Sequence, residues 1–238
     1  MQAAGCLAFT DDLNDIGEDK TWRRVKAWLV LDHTGHNVSA RRLDGLPWGR
    51  CHGGKSYCVS GDGSKSWPVG ITAAKPGQRL HVVEGEGDFV ALWHLHAVAN
   101  ERNAAPVGFL GSCADPAKRT AEIAPYVKGR VVVIFAHQDA SGTGQSAARK
   151  WADAFYRLGA SEVRIRDLGA FLGGHGKDLN DAVANTATWQ RAPPTGYCPT
   201  CFNRGVIAPV GGPTCQCAPF VWPKFSQGQL ESDIFSHE

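Results

Sequence analysis

The 238-residue sequence predicts an α/β protein: a mainly parallel sheet flanked by helices, with a basic β-rich region before it and a small cysteine-bearing tail after it. Three observations lead there. Between residues 76 and about 190, short apolar runs alternate with stretches of helical spacing, as in strands buried on both faces and linked by crossover helices. Residues 1–75 carry tryptophans, turn formers and strand-like runs instead. Pro193-Pro194 then opens a tail, residues 193–238, that holds four closely spaced cysteines.

Each element has its own warrant. "WRRVKAWLVLDHTGHNVSARRLDG" reads as two strands joined by a turn at Thr34-Gly35-His36, and "GRCHGGKSYCVSGDGSKSWPVGI" as a loop leading into a short strand. "RLHVVEGE" is a strand ending in acids. "DFVALWHLHAVANE" places Phe89, Leu92, Trp93 and His96 near one helical face, with Asp88 as the cap. His94 and His96 lack the four-residue spacing of a helical metal pair and are expected to pack. "APVGFLGS" is a buried strand, and "PAKRTAEIAPYVKG" a helix interrupted or ended near Pro125 and Gly129. "RVVVIFA" is the most hydrophobic strand. "GQSAARKWADAFYRLG" is a helix with Ala148, Trp151, Ala152, Phe155 and Leu158 spaced by three and four, closed by Gly159. "SEVRIRDL" is the last strand.

Composition sets broad limits. With 43% hydrophobic and 20% charged residues the chain is of ordinary globular type, long enough for one sizeable core with smaller modules or about two domains. The net charge of +2 does not announce nucleic acid, but residues 20–55 do. They carry eight basic and two acidic side chains, a local net of +6, interleaved with Trp22, Trp28 and Trp48. A phosphate backbone with stacked bases favours such a surface; the alternative is a solvated hairpin with core tryptophans. No apolar run approaches ~20 residues, so no membrane span is expected. The start lacks a basic, then apolar, leader pattern, and a cytoplasmic location with reduced or metal-bound thiols follows as the expectation.

Sites in parallel sheets form at the carboxyl ends of strands. Glu84 and Asp139 both stand where a strand ends, and the small residues of "ASGTG" after Asp139 let a phosphate or backbone approach closely. Two such carboxylates suit Mg²⁺, which takes oxygen ligands and keeps several waters, and which stabilises attacking or leaving phosphate oxygens. The alternative for each acid is a helix cap or a solvated surface group. In the tail, Cys198-x₂-Cys201 and Cys215-x-Cys217, 13 residues apart, fit a four-thiolate Zn²⁺ site whose module folds with its metal. Cys51, His52 and Cys58 lack a fourth ligand nearby and read as loop residues.

Glu84-Gly85 after one strand, then Asp139 and Gly142 after a later one, resemble the TOPRIM domain over residues 76–192. "GKDLNDAVA" at 176–184 is similar to the segment that follows the sheet in phage- and plasmid-type primases, and "NVSARRLDG" and "SKSWPVGI" are similar to the region preceding it. The resemblance implies a mobile-element DNA primase that makes short RNA primers from ribonucleoside triphosphates on single-stranded DNA, with Mg²⁺ or Mn²⁺ and a replicative helicase as partner. It makes Glu84 and Asp139 the metal ligands, Asp178 a third site residue that also suits a helix N-cap, and Arg41, Arg42 and Lys65 phosphate contacts. His137 stands where the family has the first Asp of Asp-x-Asp. A neutral imidazole favours Mn²⁺ over Mg²⁺, and a charged one suits a phosphate. The alternatives are a TOPRIM nuclease and a non-catalytic adaptor that binds single strands.

Overall fold

The computed structural model describes residues 6–16, 20–31, 37–49, 54–59, 65–168, 176–181 and 183. The tail cysteines 198, 201, 215 and 217, the Cys51-His52 pair and the turn at 34–36 lie outside the described residues.

The N-terminal part forms an antiparallel meander of four strands in the order β1-β2-β3-β4: β1 (Leu7–Ile16), β2 (Trp22–Leu31), β3 (Val38–Arg42) and β4 (Tyr57–Cys58). β1 is absent from the sequence reading for a physical reason. Its register against β2 shifts between Thr10 and Leu13, and a bulge there breaks the two-residue alternation that marks a strand. One face of the meander buries Val25, Ala27 and Ala40 under Trp48, whose indole nitrogen donates to the Ala40 carbonyl at 3.1 Å.

The second sheet is parallel throughout, in the order β6-β5-β7-β8: β5 (Arg79–Glu84), β6 (Ala104–Phe109), β7 (Val131–Ala136) and β8 (Glu162–Asp167). Among the described residues three α-helices cover it: α1 (Gly85–Val98), α2 (Thr120–Val127) and α3 (Thr143–Arg157). Alternate residues of the central strands divide between two cores. Val82, Val107, Val132 and Ile134 pack with Ile123 of α2 and Trp151 and Phe155 of α3. Val83, Val133 and Phe135 pack with Phe89, Leu92 and Leu95 of α1. Val30 of β2 joins that second core, so the meander docks on the α1 side of the parallel sheet. No helix among the described residues is long and apolar enough to cross a membrane.

Two local readings change. α1 begins at Gly85, whose φ of +83° suits a residue without a Cβ, so Asp88 lies inside the helix and is not its cap. His94 is exposed, whereas His96 packs as expected. The His96 ring is 5% exposed and meets the fully buried His81, Nε2 to Nδ1, at 3.0 Å. Burial, with the neighbouring His81 adding to it, pushes His96 down to about 3. A histidine held neutral in the fold makes unfolding take up a proton once the pH drops below its unfolded value near 6.5. Stability from this source is intact above about pH 6.5 and declines on acidification, by on the order of 2 kcal/mol between pH 7 and pH 5. Urea unfolding of the wild type and His96→Gln across this range should show a steeper acid loss in the wild type; parallel curves would contradict the assignment.

Candidate metal centre

β5 and β7 are hydrogen-bonded neighbours in the parallel sheet, so their carboxyl ends open at one edge. β5 delivers Glu84 there, and β7 delivers His137 one residue past its end. α1 starts directly after Glu84 and brings Asp88 round on its first turn. Segment 176–181 returns to the same edge, where the Lys177 carbonyl accepts the Gln138 N–H at 2.7 Å.

These approaches converge on one imidazole. His137 Nε2 lies 2.6 Å from Asp88 Oδ2, and His137 Nδ1 lies 3.9 Å from Glu84 Oε2. Asp88 is 2% exposed, and its other oxygen accepts the Asn180 N–H at 3.0 Å. Asp178 accepts the Asp181 N–H at 2.8 Å, a helix-capping contact, while standing in the cluster. One ligand atom from each of Asp88, His137 and Asp178 falls within 4.8 Å of the others.

The electrostatics follow from crowding acids into a partly dry edge. Burial pushes Asp88 upward, against the hydrogen bond and charge of His137. Burial also raises Glu84, and the charges of Asp88 and Asp139 add to this while His137 opposes it. For His137 burial opposes the charged form, but the Asp88 hydrogen bond and the charges of Asp88, Glu84 and Asp178 outweigh it and lift the imidazole to about 9. Without a cation, a proton on His137 partly balances the acids.

Asp139 does a different job. Its carboxylate accepts the Thr143 N–H at 3.0 Å, the Gly144 N–H at 2.7 Å and the Ser141 hydroxyl, so it caps the start of α3. The Ser141 and Gly144 hydrogen bonds pull it down to about 2. Its charge is felt at Glu84, yet neither Asp139 nor Glu84 belongs to the Asp88-His137-Asp178 trio. One of the small residues after Asp139, Gly144, now has a cause. A Cβ on Gly144 would run into His137 Cβ and stand 2.9 Å from the His137 carbonyl oxygen, so α3 approaches this closely only with glycine there.

The expected phosphate contacts separate. Arg42 turns to the Trp48 side of the meander, where Asp15 at 2.8 Å and Asp44 at 2.6 Å neutralise it. Arg41 points the other way, with Nε 3.3 Å from Glu86 Oε2 and its guanidinium 6.0 Å from the Trp28 ring centroid. Lys65 is exposed beside Gly111 and Cys113, in the loop after β6, and lines a cleft of about 310 Å³ with Ser39, Tyr57 and Leu110.

No family model matches this chain, and no curated protein matches it. The site is therefore argued from its own donors. Two carboxylates and one imidazole nitrogen fit a first-row divalent cation, with the nitrogen favouring Mn²⁺, Fe²⁺ or Zn²⁺ over Mg²⁺. His137 can ligate only once it has lost its proton. Asp88 is the residue that the sequence reading missed as a candidate ligand. Its signal was available: a helix starting at the glycine after Glu84 puts Glu84 and Asp88 one turn apart on the same side.

Proposed function

We propose that this chain is a TOPRIM-type nucleotidyl transferase, a mobile-element DNA primase that joins ribonucleotides on a single-stranded DNA template. The observation that carries the reading is the Asp88-His137-Asp178 cluster, with Glu84 beside it, at the carboxyl edge of a parallel sheet. In the reaction the primer 3′-oxygen bonds to the α-phosphorus, the bond from that phosphorus to the bridging oxygen breaks, and pyrophosphate leaves. A divalent cation held by Asp88, His137 and Asp178 would supply charge stabilisation at the phosphate oxygens. Glu84, raised by burial, is suited to take the proton from the 3′-hydroxyl. Lys65, exposed near the same edge, is suited to hold the triphosphate. Asp139 keeps the α3 terminus, and so His137, in place. A replicative helicase would expose the template, and the cytoplasm would supply the nucleotides.

The experiment is primer synthesis on single-stranded DNA with labelled ribonucleotides and Mg²⁺ or Mn²⁺, comparing the wild type with Glu84→Ala. Short products that disappear in the variant, with Mn²⁺ the better metal, are expected. Metal-dependent loss of the DNA without added nucleotides would point to a nuclease. No product with either metal, and DNA binding equal in both proteins, would leave an adaptor.

A further inference from the structure

The two faces of the meander differ in a way that assigns them different work. One carries Val25, Ala27 and the neutralised Arg42 under Trp48. The other carries Trp22, Arg24, Lys26, Trp28 and Val30 in turn, because alternate residues of β2 share a face. Pairing adds Phe9 of β1 and Arg41 of β3 on either side of Trp28, and Ser39 beside Val30. This face grades along its length. Val30 and Ser39 are buried against the rest of the molecule, Trp28 is half-buried, Phe9 is 58% exposed and Trp22 is 65% exposed. Two cations, Arg24 and Lys26, stand between two flat rings over about 20 Å of strand from Trp22 to Trp28. Of the β1 acids with described side chains, Asp11 lies in the bulge and Asp15 on the opposite face.

The face also leads into the candidate metal centre. Glu86, 3% exposed on the first turn of α1 between Glu84 and Asp88, accepts the Ser39 hydroxyl at 2.5 Å and pairs with Arg41. Arg41 in turn lies over Trp28. Trp28, Arg41 and Glu86 therefore link this face to the helix turn that carries Asp88.

We infer that this face of the meander is a stacking platform for a single-stranded nucleic acid, whose unpaired bases lie on Phe9, Trp28 and Trp22 while Arg24 and Lys26 follow its phosphates. Cations alone would serve a duplex equally well. Exposed rings between them add a term that only unpaired bases can use. A protein partner would favour a contiguous apolar patch, whereas here Arg24 and Lys26 separate Trp22 from the Phe9–Trp28 pair. The inference shares with the proposed function only the class of partner, and binding is measured without turnover, so each can fail alone.

The test is fluorescence-anisotropy titration of the full chain with a short oligodeoxythymidylate and with a duplex of equal length, at several salt concentrations. The variants are Trp22→Ala, Phe9→Ala, Phe9→Leu, Lys26→Ala and, as a control, Tyr156→Ala, an aromatic 70% exposed on α3. Phe9 and Trp22 are exposed, and unchanged thermal midpoints will confirm that their variants fold. Trp22→Ala and Phe9→Ala should each weaken single-strand binding about tenfold, Phe9→Leu nearly as much because it keeps the apolar bulk but loses the flat ring, and Tyr156→Ala not at all. Lys26→Ala should lower the salt slope by about 0.7. Equal affinity for the duplex, or full affinity in Trp22→Ala and Phe9→Ala, would overturn the inference. The platform stands if these variants lose binding while the wild type makes no primers.

Discussion

Replacing Asp88 by alanine should cost divalent-cation affinity more than the 10–100-fold typical of losing only a ligand's hydrogen-bonding partner. The trio would lose one of its two carboxylates, and His137 would lose its 2.6 Å partner at the same time. Asp139→Ala is the informative comparison. Its carboxylate is already occupied by α3 donors, so its removal should act first on stability, by about 1 kcal/mol as for other helix caps, and on metal affinity by less than tenfold. Isothermal titration with Mn²⁺, run beside thermal unfolding in chelator, separates the two effects. An Asp139 variant that loses more metal affinity than the Asp88 variant would reverse the assignment and make the capping carboxylate the principal ligand.

Trp151→Ala should be the most destabilising single truncation in the parallel-sheet core, at about 3–5 kcal/mol. Trp151 is 1% exposed, its ring centroid lies 4.6 Å from that of Phe109, and its indole nitrogen donates to the Ala114 carbonyl at 2.9 Å. Truncation opens a cavity between α3 and the sheet and leaves that carbonyl without its donor. Trp151→Phe keeps most of the packing and should recover much of the loss. Urea midpoints at constant slope measure both, and a loss below about 1 kcal/mol for the alanine variant would show that the core collapses around the gap.

What the sequence made legible follows from how local each cause is. β7 and α3 could be read directly, because an unbroken apolar run and a three-four spacing need no distant partner to be recognised. β1 was hidden, because its bulge erases the alternation and its partner β2 supplies the order. The site divides on the same line. Strand-end residues Glu84 and His137 and the Asp178 turn were visible, since each sits at a boundary that local composition announces. Asp88 was hidden by a helix cap placed four residues too late, and its partner His137 lies 49 residues away. The capping role of Asp139 was the alternative left open, and its two α3 contacts, with that to Ser141, show why a carboxylate in that position need not aim at a metal.

Glu86 sets the mechanics of the whole. The turn of helix that presents Glu84 and Asp88 also holds, between them, the buried acid that grips Ser39 and Arg41 of the meander. Prising the two sheets apart would strip a carboxylate of its partners in a place too dry to replace them cheaply. The platform and the acids should therefore move as one rigid jaw. A strand sliding along the first would reach the second at a fixed distance, as along a ruler.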